Sequence, residues 1–140
     1  FYIQLISTCL LLFMLPAHIR FLVMLLSERA SEIVERTFRL FQIHITLLNI
    51  AYSIVQLALH DSAFYGIGGS FFLSQRWIAS AVCVHAVLFS AATGLFHFIV
   101  GLNQLTAVLL PFRHKAIWRS NRPIIMAFAA WTISLSLALP

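Results

Sequence analysis

The chain has 140 residues, of which 61% are hydrophobic and only 9% charged, and its mean hydropathy is +0.96. Soluble domains carry about 25% charged residues because their surface faces water, so this composition excludes an ordinary water-soluble globular domain. The formal net charge of +5 does not point to nucleic acid: the basic residues flank apolar stretches instead of interleaving with aromatics on a solvated face.

With His counted as neutral, residues 1–19, 40–60, 77–112 and 123–140 hold no charge. A span needs about 20 mostly apolar residues to cross roughly 30 Å of hydrocarbon at about 1.5 Å per residue. The windows therefore predict an all-α membrane protein with four helices in the lipid bilayer. The first runs from about Tyr2 to Leu26, with Pro16 inside it as an expected kink and Arg20 close enough to its end to snorkel. A mixed-charge loop, Ser27–Thr37, leads to the second helix, about Phe38–Leu59. The segment His60–Gln75 reads as a flexible loop, with Gly66, Gly68 and Gly69 and a single acid, Asp61. The third helix, about Arg76–Leu110, stops at Pro111; a basic loop, Phe112–Arg122, then enters the fourth, Ile124–Pro140, through Pro123. Phe1 in place of Met, and Pro140 inside an apolar run, are expected of a piece of a longer protein.

Lys and Arg favour the cytoplasmic side of short loops. Arg29, Arg36 and Arg39 follow the first helix, and Arg113, Lys115, Arg119 and Arg122 follow the third, against Arg76 alone between the second and third. This asymmetry predicts an outside N-terminus and an outside glycine-rich loop.

Two polar rows run along the spans. On the second helix Gln42, Thr46, Asn49, Ser53, Gln56 and His60 recur every three or four residues, one face of an α-helix. The third helix repeats the spacing with Ser80, Cys83, Val87, Ser90, Gly94, His97, Gly101 and Gln104. Hydrocarbon offers such groups no partners, so both rows should turn toward other helices or a watery cavity. For any one residue, helix–helix contact is the plainer reading. At the outer end Ser53, Gln56, Ser80, Cys83 and Val87 are candidate ligand-binding residues.

Other chemistries lack their residues. Cys9 and Cys83 both lie in apolar windows, so no disulfide framework is expected, and no Asn-x-Ser/Thr acceptor occurs. The six His residues do not pair at matched depth for a haem: His60 and His97 share the rows but sit at opposite ends of their helices. Gly66–Ser70 has no following Lys-Ser/Thr and so is no phosphate cradle. No paired carboxylates or Ser-His-Asp set can be drawn within the spans, so no catalytic residue, metal or cofactor is expected, and the chain is not read as an enzyme.

The segment Asn103-Gln104-Leu105-Thr106-Ala107-Val108-Leu109-Leu110-Pro111, followed by His114, Ile117 and Trp118, resembles the cytoplasmic end of the third helix in seven-helix G-protein-coupled receptors. It is most similar to nematode chemosensory serpentine receptors of class gamma and the related class v, with their Asn-Arg-x-(Thr/Ser)-(Ala/Ser)-Val-x-x-Pro and His/Tyr-x-x-Ile-Trp patterns. Pro16, the entry Thr37-Phe38-Arg39-Leu40, and Asn49 with Tyr52 extend the resemblance, and Trp131 stands where such receptors carry a fourth-helix Trp. The resemblance implies the first four helices of a seven-transmembrane bundle in the plasma membrane. It also implies a small-molecule ligand held among the outer halves of the helices, and a heterotrimeric G protein met at Asn103, Gln104, Pro111, Arg113 and His114. Gln104 departs from the pattern, which has Arg there, and the third helix lacks a Cys at its outer end. The alternative reading is a small four-helix membrane transporter or membrane-complex subunit.

Overall fold

The computed structural model describes residues 2–27, 33–119 and 121–139; Arg29 and Pro140 lie outside them. Among the described residues the elements are helical, in the order α1 (Tyr2–Ser27), α2 (Ile33–Val55), a π-helical turn (Gln56–Asp61), α3 (Ser62–Phe64), α4 (Gly69–Ser74), α5 (Arg76–Leu109), α6 (Pro111–Ile117) and α7 (Arg122–Ala138). Three stretches are long and apolar enough to cross a membrane: Tyr2–Ser27, Arg36–Phe64 and Trp77–Leu109. The fourth expected span, α7, is apolar but has 17 residues, about 25 Å of helix.

α1 is apolar nearly all round, and Leu25 is its one buried residue. Such a helix belongs either to a large core or to a bilayer. It packs along α2 and the π turn. α2 also packs on α5 and, more lightly, on α7, while α5 and α7 pack against each other.

The core is an aromatic chain between these helices. Phe41 of α2 and Phe96 of α5 are both fully buried, with ring centroids 6.3 Å apart. Phe41 also meets the edge of Trp118 at 6.2 Å, and Phe96 meets Trp131 of α7 at 6.0 Å. His44 stacks on Phe96 at 5.1 Å. α7 approaches this core through a row of small residues, Ala127, Ala130, Ser134 and Ala138, all buried; small side chains let two helix backbones come close without lipid between them. Ser134 donates its hydroxyl to the Ala130 carbonyl at 2.8 Å, so its burial leaves no unpaired proton.

Basic residues cap helix ends. Arg39 Nη2 donates to the Leu26 carbonyl near the end of α1 at 3.3 Å, and Arg122 Nη1 donates to the Ala116 and Ile117 carbonyls at the end of α6, both at 3.2 Å. The last carbonyls of a helix have no intrahelical donor, and a cation there also meets the negative end of the helix dipole.

Three expectations need correction. The second helix does not stop at Leu59: it continues through the π turn and α3 to Phe64, so Asp61 lies inside the helical span and is buried, not in an open loop. The physical reason is that its carboxylate finds donors on α1. The glycine segment is a tight turn rather than a slack hairpin, with Gly66 at φ 74° and Gly68 at φ 70°, values that suit residues without a Cβ, and α4 follows directly. The basic loop after Pro111 begins with a helix, α6, and only its end is a turn.

The polar rows divide. On the second span, Thr46 and Ser53 of α2 are buried, and Gln42 and Asn49 of α2 and Gln56 and His60 of the π turn are half-buried. On α5, all eight residues from Ser80 to Gln104 are exposed, because the packed face is the other one, with Ile78, His85, Ala92, Phe96 and Asn103. The small and polar row of α5 thus lies off its packed face, and only its first members, Ser80, Cys83 and Val87, come near the end of α7.

Replacing Phe41 by Ala should cost about 3 kcal/mol, because the ring leaves a cavity against Phe96 and Trp118. Phe128→Ala, at a side chain 74% exposed, should cost little. Thermal unfolding of both variants in the same detergent checks the contrast; similar losses would mean that the aromatic chain is not the core.

Candidate functional site

The groove at the glycine-turn end is built by two helix faces that diverge. Ala79, Ser80, Cys83, Val84 and Val87 of α5 form one wall, and Leu137, Ala138 and Leu139 at the end of α7 form the other, around an open volume of about 510 Å³. Ligand clefts of this size are common, with mostly apolar walls and a few polar groups that orient the guest. Here the polar groups are the Ser80 hydroxyl and the exposed Cys83 thiol. The structure therefore brings together Ser80, Cys83 and Val87 of the expected ligand-binding set. It does not bring Ser53 or Gln56 to these walls. Ser53 is buried and donates to the Asn49 carbonyl of its own helix at 2.8 Å. Gln56 is turned to the π turn, where its amide nitrogen lies 2.8 Å from His60 Nδ1 and 3.2 Å from Asp61 Oδ1.

At the basic end, the break after α5 follows from Pro111. The residue before a proline avoids the α conformation, and Leu110 leaves the helix at φ −131°, ψ 55°. Its carbonyl then accepts from the backbone N–H groups of Arg113 at 3.0 Å and His114 at 2.8 Å, which starts α6. α6 folds back so that His114 and Trp118 are buried, 3% exposed each. Both meet one hydroxyl: Trp118 Nε1 donates to Thr106 Oγ1 at 2.7 Å, and His114 Nδ1 lies 3.0 Å from the same oxygen. Thr106 in turn reaches the Leu102 and Asn103 carbonyls at 2.9 and 3.0 Å. One threonine thus ties the end of α5 to both turns of α6.

The expected coupling residues divide around this tie. Asn103 is buried and its Oδ1 has no hydrogen-bond partner among the described residues, as is also true of His114 Nε2. Gln104, Pro111 and Arg113 are exposed, and Phe112 between the last two is 99% exposed. Thr106 was legible only as a motif position; its role as the shared acceptor needs the fold of α6. No metal-binding group of His, Cys, Asp and Glu occurs among the described residues.

No model of a known protein family, no curated protein and no solved structure matches this chain. Fold and site together define an all-helical chain with three helices long and apolar enough to span a membrane, a groove at one end and a helix-capped basic surface at the other.

Thr106→Val should leave the Trp118 N–H without its acceptor and His114 Nδ1 without its partner, at about 1–3 kcal/mol for a buried unpaired group. Thr106→Ser should retain most of the stability. Thermal unfolding together with quenching of Trp118 fluorescence distinguishes the two; equal behaviour of Val and Ser variants would remove the hydroxyl from this role.

Proposed function

We propose that the chain is the first four helices of a seven-helix chemosensory receptor in the plasma membrane, with its N-terminus outside, that detects an external small molecule and couples to a heterotrimeric G protein. The observation that carries this reading is the form of α6. Buried His114 and Trp118 fix it to Thr106, so that Phe112, Arg113 and Lys115 stand outward beside the exposed Gln104. A fully exposed aromatic next to fixed cations, at the end of a long helix, suits the docking of another protein. The motif that resembles the serpentine receptors thus divides into residues that hold the surface and residues that present it.

Two further features support the reading. The groove of Ser80, Cys83 and Val87 lies at the opposite end from α6, as a ligand site and a coupling site on two sides of a membrane would. The exposed row of α5 gives three further helices a face to cover, with small residues for close approach and hydroxyls and amides for cross-bonds. Signalling then follows from population shift: a ligand moves the helices only as far as its affinity differs between their arrangements. Gln104 can hydrogen-bond but carries no charge, so the coupling end lacks the cation that the resembled pattern has.

In a Cys9→Ser, Cys83→Ser background, Ser70→Cys should react with an impermeant maleimide on intact cells, and Arg119→Cys only after permeabilisation. The reverse labelling would overturn the orientation. In cells expressing the receptor of which this segment is part, Gln104→Arg should raise second-messenger output without changing ligand preference. Equal output from both versions would remove Gln104 from the coupling surface.

A further inference from the structure

Among the described residues that line the groove between α5 and α7 there is no acid, Lys, Arg or His. The walls are aliphatic apart from Ser80 and Cys83. These two polar groups differ in what they can do. A hydroxyl donates and accepts strong hydrogen bonds, whereas a thiol does either weakly. On α7, Thr132, Ser134 and Ser136 each donate to the carbonyl four residues back, at 2.9, 2.8 and 2.8 Å. Ser80 makes no hydrogen bond with any described residue. The groove therefore offers one uncommitted hydroxyl on an aliphatic surface.

The packed side of α5 turns its charge and its ring away from this surface. Asp61, on the π turn that α5 packs against, is 2% exposed. Its Oδ1 accepts from Gln4 Nε2 and its Oδ2 from the Thr8 hydroxyl, both at 2.7 Å, so the carboxylate is turned to α1. His85 of α5 is buried and stacks on Tyr52 of α2, with ring centroids 5.3 Å apart. Arg76 opens α5 and lies four residues before Ser80, on the same side of the helix. It is the one cation on α5, and any anionic guest of the groove would depend on it.

We propose that the groove takes an uncharged, mostly aliphatic molecule with one hydrogen-bonding oxygen, such as a ketone, alcohol or ester. The oxygen pairs with the Ser80 hydroxyl while the chain lies along Val84, Val87 and Leu137. An ionised guest would give up its hydration against aliphatic walls that return no paired charge, and that costs far more than the burial of one neutral oxygen. The walls select for length and bulk, and Ser80 selects for the oxygen. This inference rests on the reading of the groove as a ligand site and does not need the coupling surface at α6.

The whole chain in phosphatidylcholine nanodiscs tests it with three photoreactive probes that share one diazirine-bearing octyl chain. One ends in a methyl ketone, one in a sulfonate and one in a trimethylammonium group. Adducts are mapped by mass spectrometry with and without an excess of each probe's own unlabelled counterpart. The ketone probe should place adducts on Val84, Val87 or Leu137 that methyl octyl ketone removes. Adducts on the exposed face of α1 should persist, as contacts made from the bilayer. The two charged probes should give no competed adduct on the groove walls. Ser80→Ala should raise the ketone concentration for half removal about fivefold, the loss of one neutral hydrogen bond, and Ser80→Thr should restore it.

No competed groove adduct from the ketone probe would overturn the proposal, as would an unchanged half-removal concentration in Ser80→Ala. Competed groove adducts from the sulfonate probe that vanish in Arg76→Gln would overturn it in favour of an anion. The measurement needs no G protein. Its failure removes the ligand class alone, whereas failure of the orientation and second-messenger tests removes the receptor reading and leaves the adducts as they are.

Discussion

A helix that is apolar on every side has no face that prefers its neighbour, so its rotation and depth must be set by a few polar atoms. α1 comes close to such a helix, and the side chains of Gln4 and Thr8 help to set it. Their shared partner is the Asp61 carboxylate, buried at the far end of the second helix. Without that partner the Gln4 amide would lose its shortest hydrogen bond in an apolar environment, at a cost of a few kcal/mol, while the Thr8 hydroxyl would fall back on the Gln4 carbonyl and the Tyr65 hydroxyl. This one group holds the first turns of α1 on the bundle, as Arg39 holds its last turn through the Leu26 carbonyl, and the π turn is what carries the group to the right side of its helix.

The other three helices are joined by a different kind of contact. Phe41, Phe96, Trp118 and Trp131 interlock through tilted and edge-on rings, and the small row of α7 allows the backbones to close over them. Dispersion is spread over many atom pairs, so this half of the bundle has no single point on which it rests. The basic end adds a local tie through Thr106, which makes α6 a fixed extension of α5. The molecule thus has one end fixed by hydrogen bonds to a hydroxyl, a core fixed by rings, and a first helix fixed by a carboxylate.

Much of this arrangement was legible in the sequence. Uncharged windows placed α1, α5 and α7 within a few residues of their limits, because charge near a helix end and proline at a helix start are local signals. The row on α2 turned toward its neighbours, as its spacing implied. The row on α5 has the same spacing and faces away from them: periodicity shows that a helix has two faces and does not say which neighbour meets each. The extension of α2 was missed because His60 and Asp61 look like the start of a loop when read alone. Their partners lie more than fifty residues away. Gln4 and Thr8, polar residues one turn apart on one face of an apolar helix, were the signal that could have disclosed them. Of the candidate ligand residues, the three on α5 share a groove because they share a face, and Ser53 and Gln56 belong to a helix turned elsewhere.

The π turn also sets the register of everything that follows it in the second span. An α-helix advances about 100° per residue, so a turn that holds one residue more than its neighbours shifts the phase of the remaining residues by that angle. Removing a single residue between Gln56 and Asp61 would leave a regular helix of good propensity and nearly the same length. It would also swing the carboxylate off its partners and carry Tyr65 round with it. The chain is in this sense more sensitive to a deletion here than to most exchanges of side chain, because a deletion alters direction while leaving composition untouched.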